Sequence, residues 1–134
     1  LSLPFATRTT DLSPLTRNHK IHHIQVDIQG SGLGDNLGRV YLRMLGTGSI
    51  LRLDDNTSFY ALPQRTAVVN AIMGGVKYYA PEVYDSYHLR DRPLTNTLWQ
   101  LVINQRDEKI NQDIKLEGIS DILLHIYYTD VTKF

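Results

Sequence analysis

The residues best suited to molecular recognition lie in a tyrosine- and arginine-rich segment, 78–92. Tyrosine and arginine offer large contact areas with hydrogen-bonding tips, and both are enriched at the energetic centres of protein interfaces. Exposed aromatic rings beside Asp and Asn also suit stacking against sugars. The alternative is that Tyr78 and Tyr79 belong to a core strand and that the loop after them is merely polar. The predicted binding residues are Tyr84, Tyr87, His88, Arg90 and Arg92.

A second group of chemically capable residues is the histidine cluster His19, His22 and His23. Imidazoles this dense could bind zinc or nickel. On a strand, however, His22 and His23 are predicted to point to opposite faces. His19 and His23 would share a face but lie about 13 Å apart, because a strand rises about 3.3 Å per residue. One ion cannot bridge that distance, so no metal site is predicted and a solvated strand entry is favoured.

Asp54, Asp55 and Asn56 carry oxygen ligands of the kind that calcium prefers. The run lacks the alternating ligands and the distal glutamate of an EF-hand loop. An Asx turn between two strands is the favoured interpretation. Calcium binding by Asp54 and Asp55 stays open at this point.

Glycines 30, 32 and 34 follow an apolar segment and suggest a dinucleotide-binding loop. The spacing does not fit, because the third glycine of that fingerprint would fall at Asp35. A carboxylate there would repel the phosphates, and no alternating β-α-β pattern follows. A plain glycine loop is therefore favoured, and no cofactor is predicted.

Catalytic patterns are weak throughout the chain. Serine, histidine and aspartate all occur, but no strained turn presents a serine nucleophile, and no pair of carboxylates suggests glycoside cleavage. His125 lies within an apolar run and is interpreted as a satisfied sheet histidine. The chain is predicted not to be an enzyme.

The length and composition narrow the function classes. The chain of 134 residues suits one domain spanning 1–134. Fourteen basic residues balance fourteen acidic ones, so no overall basic field would attract nucleic acid. There is no cysteine, and no apolar run approaches the roughly 18 residues that span a bilayer. Because the sequence starts at Leu1 without a signal-peptide pattern, we expect a processed protein or a domain of a longer chain.

Short strands separated by turn residues predict an all-β protein, specifically a two-layer antiparallel β-sandwich of jelly-roll type. Residues 1–20 are predicted to form an extended N-terminal arm. Residues 104–117 are polar and charged and are interpreted as a solvated connection or a ragged edge. The predicted strands are 21–28, 40–45, 98–103 and 122–128. The segments 40–45 and 66–73 also fit helices, since periodicity does not decide such short runs. The predicted core contains Ile24, Val26, Trp99 or Val102, Leu124 and Ile126.

The closing stretch, 118–129, alternates with period two and is apolar or aromatic on both faces. That pattern is typical of a central strand with neighbours on both sides. Gly118 and the pair Ser120 and Asp121 mark its start.

The same stretch, GISDILLHIYYT, resembles the C-terminal end of the A component of bacterial insecticidal toxin complexes, which carries an ISD[IV][IL]LH[IL]RYT segment. Residues 19–28 and 96–103 resemble two earlier strands of that family in the same order. The resemblance implies a β-sandwich near the end of a large subunit, in a region where the next component docks. Tyr127 replaces the arginine of the family segment, and the proline-containing loop after the first strand is replaced by residues 30–34.

Two function classes follow. The first is a non-catalytic docking module of a larger bacterial toxin-like or injection assembly, which would be secreted or extracellular and would bind another protein subunit or the remainder of its own longer chain. The second is a carbohydrate-binding module, because sandwich folds often present loops or a concave sheet to glycans. Fold analogy cannot separate them.

Overall fold

The computed structural model describes residues 1–31, 33, 38–73, 81–106 and 109–133. The described part of the chain is all-β, with one four-residue helical turn, α1 (Pro81–Tyr84), and three short 3-10 turns. The strands are β1 (Ser2–Thr7), β2 (Thr16–Gly30), β3 (Gly38–Met44), β4 (Thr47–Leu51), β5 (Thr57–Ala61), β6 (Arg65–Met73), β7 (Thr97–Val102) and β8 (Ile119–Thr132). Residues 76–79, which the sequence suggests as β-prone, lie outside the described residues, as do Gly32 and Gly34 of the glycine loop.

Six of the strands form one sheet in the order β1-β7-β3-β6-β2-β8, and β4 and β5 form a small second sheet. The large sheet is mixed, since β2 pairs with β6 in parallel at Asp27↔Ile72 and Ile28↔Met73. The prediction of a wholly antiparallel arrangement is therefore wrong for this pair. The sheet curls, so the edge strands β1 and β8 line opposite sides of an apolar groove of about 360 Å³.

The pattern of buried side chains decides between strand and helix for segments 40–45 and 66–73. In β3 the side chains of Val40, Leu42 and Met44 are buried, and the intervening Arg43 is exposed, as a strand with one core face requires. β6 shows the same alternation. Because helical periodicity would bury residues three or four apart, the strand alternative is confirmed in both places.

Trp99 of β7 is the largest fully buried side chain. Its ring stacks on Phe5 of β1 with centroids 5.8 Å apart, and its Nε1 donates to Thr7 Oγ1 at 3.1 Å. Trp99, rather than Val102, therefore faces the core, as does Leu101 of the same strand. Ile24 and Val26 are also buried as predicted.

The first twenty residues contain an extended strand, a 3-10 turn and the start of β2. β1 pairs with β7 from Ser2↔Val102 to Thr7↔Thr97, a 3-10 turn follows at Thr9–Asp11, and β2 begins at Thr16. The predicted boundary at residue 20 thus falls inside β2.

The closing strand β8 lies at an edge and not at the centre of the sheet. Within the described residues its one neighbour is β2. Leu124 and Ile126 are half-buried and pack against the core, whereas Tyr127, Tyr128 and Val131 are exposed. The prediction of a central strand is therefore wrong. An edge strand can be apolar on both faces here because each face has its own role. The inner face of β8 lines the groove toward β1, and the outer face carries an aromatic cluster.

The connection 104–117 is also not fully solvated. Asn111 is completely buried and Ile114 belongs to the core. The Asn111 Oδ1 accepts the Arg39 backbone N–H at 2.7 Å, and its Nδ2 donates to the carbonyls of Arg39 and Asn104 at 2.8 and 2.9 Å. This carboxamide ties the connection to the start of β3.

Candidate functional site

A β-bulge in β2 brings His22 and His23 together. Ile21 pairs with Tyr128 and His23 with Tyr127, so two residues advance on β2 while one advances on β8. The two Nδ1 atoms are 2.7 Å apart. The prediction that these side chains point to opposite faces is wrong, because the bulge breaks the alternation on which it rests. A hydrogen bond between two Nδ1 atoms requires one ring to carry the proton and the other to accept it.

Four rings meet at this bulge, namely His22, His23, Tyr87 and Tyr127, and we call them the ring cluster. His23 stacks on Tyr127 with centroids 4.3 Å apart and an interplanar angle of 11°. Tyr87 contacts His23 at 5.3 Å and His22 at 5.8 Å. Tyr87 is 47% exposed and Tyr127 is 45% exposed, so the cluster presents aromatic surface to the solvent.

Gln25 and Asp85 form the polar floor of the ring cluster. Gln25 Nε2 donates to Asp85 Oδ1 at 2.6 Å, and Asp85 Oδ2 lies 3.8 Å from His23 Nε2. The Tyr87 hydroxyl is 3.5 Å from Asp85 Oδ2, and the Tyr127 hydroxyl is 3.5 Å from Gln25 Oε1. These contacts hold the tyrosine hydroxyls beside Gln25 and Asp85.

The segment after α1 is positioned by backbone hydrogen bonds to β2. Ser86 and Ile24 exchange N–H···O bonds of 2.9 and 3.0 Å, and the Asp91 N–H donates to the Ile21 carbonyl at 2.7 Å. Tyr87 and Arg90 therefore reach the bulge. Arg90 Nη2 lies 3.4 Å from His22 Nε2.

The five residues predicted from the sequence fall in different environments. Tyr87, His88 and Arg90 are exposed, whereas Tyr84 and Arg92 retain 7% and 8% of their accessible surface. Tyr84 closes α1 as a buried residue, and replacing it would act on stability before binding. Tyr87 and Arg90 reach the ring cluster.

Sequence reasoning missed His23, Gln25, Asp85 and Tyr127 as partners in one site. The available signal was the His-His doublet, since its rings can meet only where a strand bulges. The pairing partner Tyr127 lies far away along the chain and became a neighbour through the β2–β8 register.

A second candidate surface is a groove of about 290 Å³ between the small sheet and residues 90–93. Lys20, Arg90 and Arg92 are its cations, and we call it the basic groove. Arg92 donates from Nη1 to Met44 Sδ at 3.6 Å. Burial, together with the nearby charge of Arg65, lowers the pKa of Arg92.

The Asp54 turn is the predicted Asx turn, since Asp54 Oδ1 accepts the Asn56 N–H at 3.0 Å. Asp55 is paired with Arg17 at 3.0 Å and with Lys133. These hydrogen bonds and cations lower the pKa values of both carboxyl groups.

Among the described residues no group of three or more His, Asp or Glu side chains is arranged to hold a metal ion.

Comparison of the chain with models of known protein families, with curated proteins and with solved structures gave no match. No helix in the described ranges is long and apolar enough to cross a membrane.

Proposed function

We propose that this chain is a non-catalytic protein-docking module and that its contact surface is the outer edge of β8 together with the adjoining ring cluster. The observation that carries the proposal is that β8 has, within the described part of the chain, an unpaired edge and exposed apolar side chains. This strand of 14 residues has a partner on one side only among the described residues, and it exposes Tyr127, Tyr128 and Val131. A long, apolar strand edge is a template for pairing with another chain, and monomeric proteins normally shield such edges.

The geometry favours an extended segment as the bound element. An edge strand offers unpaired backbone N–H and C=O groups, which a partner strand can satisfy, and side-chain contacts then supply the specificity. The ring cluster lies beside this edge, and its tyrosines provide rigid anchors at a small entropic cost. Arg90 adds a cation at the rim of the same surface.

The nature of the parent assembly rests on the sequence resemblance alone. The closing segment supports a bacterial toxin-like or injection complex, and with it a secreted or extracellular location. The all-β fold, with a curled sheet and a second small sheet, is compatible with the sandwich class that the resemblance implies. A jelly-roll arrangement is part of this proposal.

Charge placed on the strand edge should weaken docking. We would immobilise the domain and measure binding of each purified component encoded beside its parent gene by biolayer interferometry. The variant with Tyr127→Lys and Val131→Lys should weaken binding at least about tenfold, because it buries two unpaired charges in the interface.

Leu98→Lys is the matched control. Leu98 is 55% exposed on β7, inside the sheet and away from the β8 edge. Its replacement should leave binding unchanged. Equal affinity of the wild type and the β8 variant, with both folded by circular dichroism, would refute docking through this edge.

The second candidate function is carbohydrate binding, and the exposed residues Tyr87 and Tyr127 beside Gln25 and Asp85 favour it. Sugars stack their apolar faces on such rings and hydrogen-bond to adjacent amides and carboxylates. A glycan array separates the two functions. Binding of a defined glycan that Tyr127→Ala removes and Tyr127→Phe retains would support carbohydrate binding, since Phe keeps the ring face.

A further inference from the structure

The basic groove lies on the side of β2 away from β8, since Lys20 pairs with Thr129 of β8 on one side and bridges to Pro93 on the other. Arg90 is the one groove cation that also reaches the rim of the proposed docking surface. Its charged lining consists of Lys20, Arg90, Arg92 and Asp91, which gives three cations against one carboxylate and a net charge of two positive units. No ion pair between described residues includes any of these cations. The remaining wall is formed by Ile50, Tyr60, Leu62 and Pro93.

Arg92 makes this groove unusual. Its side chain and backbone together retain 8% of their accessible surface, yet the one hydrogen-bond acceptor of its guanidinium among the described residues is the Met44 thioether. A guanidinium has five N–H donors, and sulfur is a weak acceptor. A mostly buried cation without an anionic partner is unfavourable, and Arg65 adds a second positive charge nearby. The Arg92 nitrogens that lack a protein acceptor keep contact with solvent, so an anion in the groove can reach them. An anion in the groove would remove both penalties.

The groove is built on hydrogen-bonded backbone. The Ile21 N–H donates to the Arg92 carbonyl at 2.9 Å, and the Asp91 N–H donates to the Ile21 carbonyl at 2.7 Å. Lys20 and Pro93 form a β-bridge. Lys20 and Arg92 are therefore held side by side before any ligand arrives, which reduces the entropy lost on binding.

We propose that the basic groove is a binding site for a phosphate monoester. A phosphoryl group carries about −1.5 to −2 charges at pH 7 and has three strong acceptor oxygens, which matches the net charge of the groove. Arginine forks bind phosphate oxygens in pairs, and lysine adds a point charge. The apolar wall of Ile50, Leu62 and Pro93 would hold the organic part of the ester.

The test uses the whole chain and four small probes: inorganic phosphate, phenyl phosphate, phenyl sulfate and benzoate. Binding is measured by NMR chemical-shift titration at constant ionic strength. Phenyl phosphate should bind most tightly. Inorganic phosphate lacks the apolar contact, and the two other aromatic probes carry a single charge. Free phosphate binding as tightly as phenyl phosphate would assign the site to the inorganic ion.

Two variants locate the site. Arg92→Met should lose at least about tenfold in phenyl phosphate affinity while folding as well as the wild type, since no ion pair between described residues includes Arg92 and Met keeps a long apolar side chain. Lys20→Gln, at an exposed position, should weaken binding by about two- to fivefold. Arg43→Gln, exposed on β3 and outside the groove, should change nothing.

Three results would overturn the proposal: no saturable shift with any phosphate probe, unchanged affinity of both Arg92→Met and Lys20→Gln, or equal loss in Arg43→Gln. None of these results would affect the docking proposal, because that proposal is tested at Tyr127 and Val131 of β8, which do not line the groove.

Discussion

His23 of β2 and Tyr127 of β8 stack nearly parallel, with ring centroids 4.3 Å apart and an interplanar angle of 11°. The two residues are paired across the strands at the bulge. The stack therefore reports on the register of β8, the strand that carries the proposed docking edge.

The contributions of His23 and Tyr127 to the free energy of unfolding should be measurably coupled. A double-mutant cycle with His23→Ala and Tyr127→Ala is expected to give about 0.5–1.5 kcal/mol of interaction free energy, as is usual for packed ring pairs. Urea denaturation of the four proteins measures it. A cycle of Leu98→Ala with His23→Ala is the control and should be additive, because Leu98 lies on a different strand and is exposed. Zero coupling in the first cycle would show that the stack does not form in solution.

His19 should make stability depend on pH. It is 1% exposed, its Nε2 is 2.7 Å from Thr16 Oγ1, and its Nδ1 has no partner among the described residues. The Thr16 hydroxyl donates to the Ser13 carbonyl, so His19 Nε2–H donates to Thr16 and a second proton on Nδ1 would lack an acceptor. Burial lowers the pKa of His19 below 6.5, with Asp130 opposing and Arg17 assisting the shift.

The sign of the pH effect follows from that lowered pKa. The unfolded chain takes up the proton first as the pH falls below 6.5, so the free energy of unfolding should decrease from there toward the folded-state pKa. His19→Gln should flatten this dependence between about pH 7.5 and 5, as measured by urea denaturation. His125→Gln, at an exposed position on β8, is the control and should keep the wild-type slope. An unchanged slope in His19→Gln would contradict the assignment.

Truncating a core side chain should lower the free energy of unfolding more when that side chain is more deeply buried. Leu42 of β3 is fully buried, and Leu42→Ala should lower the free energy of unfolding by about 2–5 kcal/mol. Leu124 of β8 is only half-buried, so Leu124→Ala should have the smaller effect, about 1–2 kcal/mol. Thermal and urea denaturation measure both. A reversed order would place β8 in the interior of the sheet.

Asn111 should be essential for anchoring residues 104–117. Asn111→Leu removes three hydrogen bonds to the backbone of Arg39 and Asn104 and leaves buried polar groups unpaired. We expect a loss of at least about 2 kcal/mol. Gln112→Leu, at the next and exposed position, should stay within about 0.5 kcal/mol of the wild type. A similar loss in both variants would indicate that the turn and not the carboxamide is responsible.

Local patterns in the sequence determined the secondary structure well. The alternation of Val40, Leu42 and Met44 is a property of neighbouring residues, and β3 follows it. The Asx turn at Asp54 likewise needs only a carboxylate and an N–H two residues later. The all-β class follows from the same local information, whereas the choice of Trp99 over Val102 as a core residue came from the structure.

Only the tertiary structure decided the features that depend on pairing between residues far apart in the sequence. An apolar strand looks the same whether it is central or lies at an edge over a groove, so the position of β8 depends on which strands pair beside it. The bulge that joins His22 to His23 depends on the β2–β8 register. The burial of Tyr84 and Arg92 within a polar segment depends on how that segment docks on β2. The sequence by itself therefore determined the all-β class and the segments whose side chains alternate, whereas only the fold decided which side chains lie together at the surface.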